Sequence, residues 1–330
     1  MKEITSSKFT VSVVIPVLNE ERFIEQCIES LMKQTFPTRK IEVLVVDGGS
    51  IDRTKSIVKS YIEKFPGNLI LLSNPRKTQA CAMNIGIKAA SGRYIIRIDA
   101  HAEYSSNYIE ECVKLLDTGR YDNVGGVAET KGRTPFGKSV ARMMSSKFGV
   151  GNSVFRTGGT SGEVDTVPFG AFRRELFENI GGFDERLGRN EDNEINYRIK
   201  ENGGIVYLSN TIKFTYFCRD TLKGILSMAF QNGKWTIIAS KLRPGSMKLR
   251  HFIPYAFVLS LIVGVPLSVV SPLIRNFFFL EIFLYIALDI FFSIQCAHGL
   301  KQAMTLICLF PAFHVAYGVG SFVGMVSNSN

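Results

Sequence analysis

Beyond His251 the chain almost ceases to carry charge. Of 39 lysines and arginines and 29 acids, only Arg275, Glu281, Asp289 and Lys301 lie in the last 79 residues. Residues 252–274 hold no charge at all, and about 20 apolar residues suffice for a helix to cross lipid. A second apolar run, 276–297, contains Glu281 and Asp289; a third, 302–326, is uncharged. Carboxylates are costly in lipid, so these two are expected to face other helices or the interface. The second run can equally lie along the surface. Pro254, Pro266, Pro272 and Pro311 are tolerated where neighbours satisfy the freed carbonyls. Residues 252–330 therefore read as a transmembrane region of two or three helices. Lys234, Lys241, Arg243, Lys248 and Arg250 stand just before it, whereas the later loops carry only Arg275 and Lys301. That bias predicts a multi-pass protein of the cell membrane with residues 1–251 in the cytoplasm.

The formal charge of +10 then falls on residues 1–251. Such a surface suits an anionic partner, either a nucleotide diphosphate or a phospholipid. Nucleic acid is excluded as a partner because no basic and aromatic stripe or known module occurs. The six cysteines form no C-x-x-C pair and no metal-ligand spacing, so they read as reduced, mostly buried thiols. The run 11–18 is too short for a signal peptide and lacks a cleavage site.

Val11–Val17 is continuously apolar, as a strand buried on both faces requires. Apolar residues at helical spacing follow over 20–33. Strands are then expected at 41–46, 69–72 and 94–98, with helices at 52–65 and 79–90. This alternation predicts an α/β fold with a doubly wound, mostly parallel sheet. Ligands of such sheets bind beyond the carboxyl ends of the strands. Asp47 and Asp99 each stand at such an end. An acid there can also cap the next turn, but two acids at two strand ends favour a site.

Asp99-Ala100-His101 follows the fourth strand. In extended chain, residues two apart point the same way, so Asp99 and His101 are expected to face one site. A carboxylate with an imidazole can hold a divalent cation against a diphosphate. Glu191-Asp192 opens a predicted helix, 191–202, where acids also serve as helix-dipole partners. Gly181-Gly182-Phe183-Asp184 precedes it as a glycine-rich loop. Trp235, the only tryptophan, sits just before the apolar region, where an interfacial anchor is the simplest reading.

In this order the motifs resemble glycosyltransferase family 2, whose catalytic domain has the GT-A fold. They are Val14-Ile15-Pro16-Val17-Leu18-Asn19-Glu20, Val46-Asp47-Gly48-Gly49-Ser50 with Asp52 and Thr54, Ala82-Met83-Asn84-Ile85-Gly86, and Asp99-Ala100-His101. The Gly-Gly-Phe-Asp run, Glu191-Asp192 and Gln231-x-x-Lys234-Trp235 complete the set. Ile98-Asp99-Ala100-His101-Ala102, Thr134-Pro135-Phe136-Gly137 and the apolar C-terminal third resemble the succinoglycan-biosynthesis glucosyltransferases in particular.

The resemblance implies a GT-A catalytic domain over residues 1–251 and an inverting transfer from a nucleotide-sugar donor to an acceptor hydroxyl. The subgroup implies uridine diphosphate-glucose as donor, a lipid-linked saccharide as acceptor, and extracellular polysaccharide as the product. Pro16, Leu18, Glu20, Asp47, Asn84 and Asp99 would contact the donor. Asp99 and His101 would hold Mn2+ or Mg2+. Asp192 would be the general base, with Glu191 its rival. Gln231, Lys234 and Trp235 would border the diphosphate and the acceptor. Two positions depart from the family pattern: His101 replaces the second acid of Asp-x-Asp, and Lys234 replaces an arginine.

Other readings compete. Gly132-Arg133-Thr134-Pro135-Phe136-Gly137-Lys138-Ser139 satisfies the P-loop pattern, which would imply an ATPase or kinase. That motif needs a buried strand before it, and Asn123–Lys131, with Gly125, Gly126 and Glu129, reads as a poor one. A non-catalytic membrane scaffold for lipid-linked sugars conflicts with the full set of acids. Gly320 and Gly324 read as points of close helix packing.

Overall fold

The computed structural model describes residues 8–327. The chain folds as two compact units. One combines Met1–Glu129 with Gly159–Tyr216; the other combines Thr130–Gly158 with Phe217–Asn330.

The first unit is built on strands β1 (Val11–Val17), β2 (Ile41–Asp47), β3 (Asn68–Ser73), β4 (Tyr94–Arg97) and β5 (Ala102–Tyr104). β6 (Asn123–Lys131), β7 (Gly162–Glu163), β8 (Ala171–Arg173) and β9 (Val206–Phe217) complete the sheet. Its order is β3-β2-β1-β4-β8-β6-β9-β5, with β7 beside β9. β3, β2, β1 and β4 run parallel, Val13 opposite Val43 and Ile96. From β8 onward the measured pairings are antiparallel. The sheet is thus mixed, its parallel half being the part that strand-helix alternation revealed. Val13, Val14, Ile15 and residues 43–46 are fully buried, as continuous apolar strands covered on both faces should be.

Helices α1 (Ile24–Met32), α2 (Thr54–Tyr61), α3 (Gln79–Ala89) and α4 (Tyr108–Asp117) connect these strands. α3 can lie close to β1 because Gly86 has no side chain. A Cβ there would come within 2.4 Å of Val14.

The second unit opens with α5 (Pro135–Met144), α6 (Lys147–Val150) and α7 (Val154–Thr157). The first unit then adds α8 (Arg174–Ile180) and α9 (Glu191–Glu201). The second unit resumes with α10 (Leu222–Leu242), α11 (Ile253–Val270), α12 (Pro272–Cys296) and α13 (Leu300–Val326). The last three are long and apolar enough to cross a membrane. Glu281 accepts a hydrogen bond from Ser260 of α11 at 2.6 Å, and Asp289 is 4% exposed. Both acids of α12 are therefore turned to protein, as their cost in lipid predicts. Gly320 and Gly324 are packing points: a Cβ on them would lie 1.9 Å from the Phe230 carbonyl oxygen and 2.5 Å from that of Lys234.

The charge is not distributed as the 1–251 boundary implies. The second unit holds 15 lysines and arginines against Asp220, Glu281 and Asp289, so of the formal +10 it carries +12 and the first unit −2. The basic excess lies with the apolar helices, outside the unit that carries the strand-end acids.

Candidate active site

The carboxyl ends of β1 and β2 are stitched together before any ligand is considered. Asn19 adopts φ 57°, a left-handed conformation that asparagine tolerates. Its backbone N–H donates to Ser50 Oγ at 2.8 Å, and Ile51 N–H donates to its Oδ1 at 2.9 Å. Glu20 N–H donates to Thr54 Oγ1 at 2.8 Å and Glu21 N–H to Asp52 Oδ2 at 3.1 Å. Pro16, in β1, is partly exposed, and Leu18, just beyond it, is 44% exposed. Asp47 accepts from Gly49 N–H at 3.0 Å and from Ser50 N–H at 3.1 Å. It caps its own turn, although a carboxylate has lone pairs to spare for a further donor.

At the end of β4 lies a feature that motif reading passed over. Arg97 is a buried guanidinium whose side chain is 4% exposed, and it touches three carboxylates. Nε lies 3.4 Å from Asp99 Oδ1, and Nη1 lies 3.0 Å from Glu191 Oε1. Nη1 also pairs with Asp192 Oδ1. Gln79, at the start of α3, donates to Asp99 Oδ1 at 3.2 Å. The acids that open α9 are thereby joined to the acid that ends β4, although 92 residues separate Asp99 from Glu191. The signal in the sequence was a lone arginine inside an otherwise apolar strand, Tyr94-Ile95-Ile96-Arg97-Ile98. A charge at such a position must be paired.

This arrangement moves proton affinities. Burial, reinforced by Glu191 and Asp99 and opposed by Arg97, pushes the Asp192 carboxyl up to about 7. A helix start favours an ionised acid, but burial beside two other carboxylates raises this one. Arg97 is held further above its already high value by Asp192, Asp99 and Glu191, which overcome the burial that opposes them.

Asp99 and His101 are not arranged as in extended chain. Ala102 N–H donates to the Asp99 carbonyl at 3.3 Å, closing a turn over residues 99–102. His101 Nδ1 lies 3.2 Å from Glu20 Oε1. The common-face argument therefore gives way: the turn brings His101 to Glu20, while Asp99 turns to Arg97 and Gln79.

Asn84 also has a local task. Its Nδ2 donates to the Phe183 carbonyl and to Glu185 Oε1, each at 2.9 Å, and its Oδ1 accepts from Phe183 N–H at 2.8 Å. It clamps the Gly-Gly-Phe-Asp loop, where the motif order alone had it facing a donor. Gln231, Lys234 and Trp235 lie in the second unit, within α10. Their i, i+3, i+4 spacing places them on one face of that helix.

Among the described residues no three His, Cys, Asp or Glu side chains are grouped to hold a metal. A divalent cation nevertheless fits the donor chemistry. Three carboxylates share the single guanidinium of Arg97, which leaves the strand end with an excess of negative charge. Asp99, His101 and Glu20 offer oxygen and nitrogen donors beside it. Magnesium- and manganese-type sites commonly take one or two protein ligands and complete their shell from phosphate oxygens and water.

The P-loop pattern meets a different fate. The segment before it is a strand after all, β6. Its glycines allow close approach to neighbours, a Cβ on Gly126 falling 2.2 Å from the Ile212 carbonyl oxygen. The place for a phosphate holds a carboxylate: Asp220 Oδ1 accepts from Arg133 N–H at 3.2 Å and would lie 1.8 Å from a Cβ on Gly137. Ser139 is buried and donates to the Pro135 carbonyl. An acid at that position repels a phosphate.

A sheet of this order, with acids gathered at the carboxyl end of its parallel half, defines the GT-A class of nucleotide-sugar transferases. The model for glycosyl transferase family 2 matches residues 12–181, and the chain belongs to that family. It is 32% identical to the succinoglycan biosynthesis protein ExoA of Rhizobium meliloti, over 82% of this chain and 81% of that protein. It is 26% identical to a dolichyl N-acetyl-α-D-glucosaminyl phosphate 3-β-D-2,3-diacetamido-2,3-dideoxy-β-D-glucuronosyltransferase of Methanococcus voltae, over 97% of this chain and 98% of that one. Among solved structures, the mannosyltransferase PcManGT from Pyrobaculum calidifontis, in complex with GDP-Man and Mn2+, superposes with a TM-score of 0.65 at 21% identity. The match covers 96% of this chain and 88% of that one, and it shows the shared fold.

Proposed function

We propose that the chain transfers a sugar, with inversion, from a nucleoside diphosphate donor to a hydroxyl of a lipid-linked saccharide, as a step in making an extracellular polysaccharide. The observation that carries this reading is the joining of Asp99 to Glu191 and Asp192 through Arg97. It sets a carboxylate for the acceptor beside the carboxylate for the donor in a GT-A sheet. Asp192 takes the acceptor proton as the new glycosidic bond forms, and Glu191 is its neighbour in the ion pair. Asp47 and Glu20, with Pro16 and Leu18 beside them, border the base and ribose. Asn84 supports that border through the loop it clamps. Asp99 and His101 are the residues that would hold a divalent cation, which would neutralise charge on the departing diphosphate.

Gln231, Lys234 and Trp235 are assigned to the acceptor and diphosphate side. Relatives support the class of substrate, one being a succinoglycan biosynthesis protein and another a transferase to a dolichyl-linked sugar. Solved neighbours carry GDP-Man with Mn2+ in one case and UDP-GlcNAc in another. Uridine diphosphate-glucose is the donor we assign, with manganese or magnesium as the ion. Residues 252–330 anchor the protein in the cell membrane and residues 1–251 work in the cytoplasm.

The test is a transfer assay on purified full chain with a panel of nucleotide sugars, with and without a chelator. Sugar transfer from uridine diphosphate-glucose that a chelator abolishes and manganese restores is expected. His101→Ala should raise the manganese concentration needed while leaving nucleotide affinity close to normal. Transfer indifferent to the chelator would remove the cation from the proposal.

A further inference from the structure

The three apolar helices are not equivalent. In the most apolar 18-residue stretch of each, 6% of α11, 11% of α12 and 44% of α13 is buried. α11 and α12 form an antiparallel hairpin. Phe257 stacks on Tyr285 with centroids 4.3 Å apart, Ser260 meets Glu281, and Gly264 faces Phe278. Towards the turn the hairpin is apolar and open on all sides: Ile262, Val263, Val265, Val269, Val270, Leu273, Phe277, Phe279, Leu280 and Phe283 are all exposed. At 1.5 Å per residue, 18 residues reach about 27 Å, close to the ~30 Å hydrocarbon core of a bilayer.

α13 is covered instead, by the first turns of α11 at Gly318, by Tyr285 of α12 at His314, and along its length by α10, which carries polar residues. α10 packs along it with backbone-to-backbone closeness: a Cβ on Gly233 would fall 1.9 Å from the Tyr317 carbonyl oxygen, and one on Gly320 1.9 Å from that of Phe230. α10 carries Lys223, Gln231, Asn232, Lys234 and Lys241. Lys241 donates to the carbonyls of Gly324 and Met325 at 3.1 and 2.5 Å, tying down the last turn of α13. At the other end, His298, just before α13, contacts Arg142 in the last turn of α5. Between these ends, Phe148 of α6 accepts from His314 at its carbonyl and packs on Phe310. α5 and α10 themselves start from one point, where Asp220 accepts from Arg133 N–H and Cys218 Sγ donates to the Gly137 carbonyl. Contacts from α5, α6 and α10 thus reach α13 near its first turn, at its middle and at its last turn. Its exposed residues, Met304, Cys308, Val315, Val319 and Phe322 among them, fall on a single stripe, as on a helix lying at an interface.

From this we infer that only the α11–α12 hairpin crosses the bilayer, and that α13 lies along the membrane surface with α10 and α5. Two crossings, where three apolar helices suggest three, return the end of α13 to the face of the bilayer on which α10 begins. The fifteen lysines and arginines of this unit agree with that placement. Lys223, Lys241, Arg243, Lys248, Arg250 and Lys301 then lie on the side of the bilayer where the hairpin begins and ends, with Arg275 alone at the far turn. The inference rests on the reading of residues 252–330 as a membrane region, and it fixes how that region is threaded.

The experiment uses the full chain carrying Cys296→Ser and Cys308→Ser, since the other native cysteines are buried. Single cysteines are placed by Lys223→Cys, Leu273→Cys and Ser327→Cys. An impermeant maleimide is applied to intact and then permeabilised cells, and retention in carbonate-washed membranes is measured. Ser327→Cys and Lys223→Cys should label under the same condition, and Leu273→Cys under the opposite one. Ser327→Cys labelling together with Leu273→Cys, in chain that stays in washed membranes, overturns the inference and leaves the anchor standing. Labelling of all three under one condition overturns it as well, because the hairpin then does not cross. A chain that washes off the membrane overturns the anchor itself.

Discussion

The two ends of the parallel sheet bury carboxylates in different ways. At the amino end, Glu42 is 3% exposed. Its Oε1 accepts from Ser12 Oγ at 2.5 Å, Ser91 N–H at 2.6 Å, Ser91 Oγ at 2.8 Å and Gly92 N–H at 3.1 Å. Among the described residues it has no ion pair. At the carboxyl end, Asp99, Glu191 and Asp192 divide one guanidinium between them. Glu42 is satisfied one acid at a time by hydroxyls and amides, and it closes a seam between β1, β2 and the start of β4. The carboxyl end holds three acids against one cation, and burial, reinforced by the neighbouring Glu191 and Asp99, drives Asp192 towards protonation. Burial alone does not distinguish the two ends: neutral hydroxyl and amide donors satisfy Glu42, whereas three acids at the carboxyl end share one guanidinium.

That comparison can be broken most sharply at Asp192. With a general base removed, Asp192→Asn should lower turnover roughly 10²–10⁴-fold, with folding and donor affinity retained. Glu191→Gln should lose less. Near-normal turnover of folded Asp192→Asn at saturating donor and acceptor would reduce Asp192 to a partner of the helix dipole.

Arg97 comes next, measured as stability. Removing one partner of a buried ion pair costs about 3–5 kcal/mol, so Arg97→Met should unfold at markedly lower denaturant. Equal midpoints for Arg97→Met and the parent chain would show that the three acids do not need the guanidinium.

Glu42→Ala is expected to cost about 1–3 kcal/mol, because buried donors at Ser91 and Gly92 lose their acceptor. Turnover per folded molecule should not change. A fall in turnover with stability intact would erase the distinction between the two ends.

The smallest effect is on pH. Asp192 works as a base only when ionised, so transfer should rise with pH through about 7. Its folded value lies above the unfolded 3.8, so the native state binds the extra proton between roughly pH 4 and 7, and the stability this group contributes falls as pH rises across that window. Activity and stability should therefore move in opposite directions, and Asp192→Asn should abolish that slope in stability. A pH-rate profile flat from 5 to 8 would place the carboxyl at an ordinary value.

Much of the fold was legible in the chain itself because its signals are local. Continuous apolar runs marked β1 to β4, helical spacing marked α1 to α3, and the charge-free stretch after residue 251 marked the apolar helices. Two acids at strand ends pointed to the edge of the sheet where Arg97 gathers its carboxylates. What the tertiary structure decided depends on residues far apart in sequence. Arg97 becomes the centre of a carboxylate cluster only when α9 is laid against the end of β4. Burial there, reinforced by Glu191 and Asp99, then raises the Asp192 carboxyl. The turn at residues 99–102 gives Asp99 and His101 different partners, because a backbone hydrogen bond replaces the extended geometry that alternation assumes. Asp220 fills the P-loop's anion position across more than 80 residues of chain. The helices after residue 251 look alike in hydropathy, and only the fold shows that they are covered unequally: α11 and α12 are exposed towards their turn, while α5, α6 and α10 pack on α13.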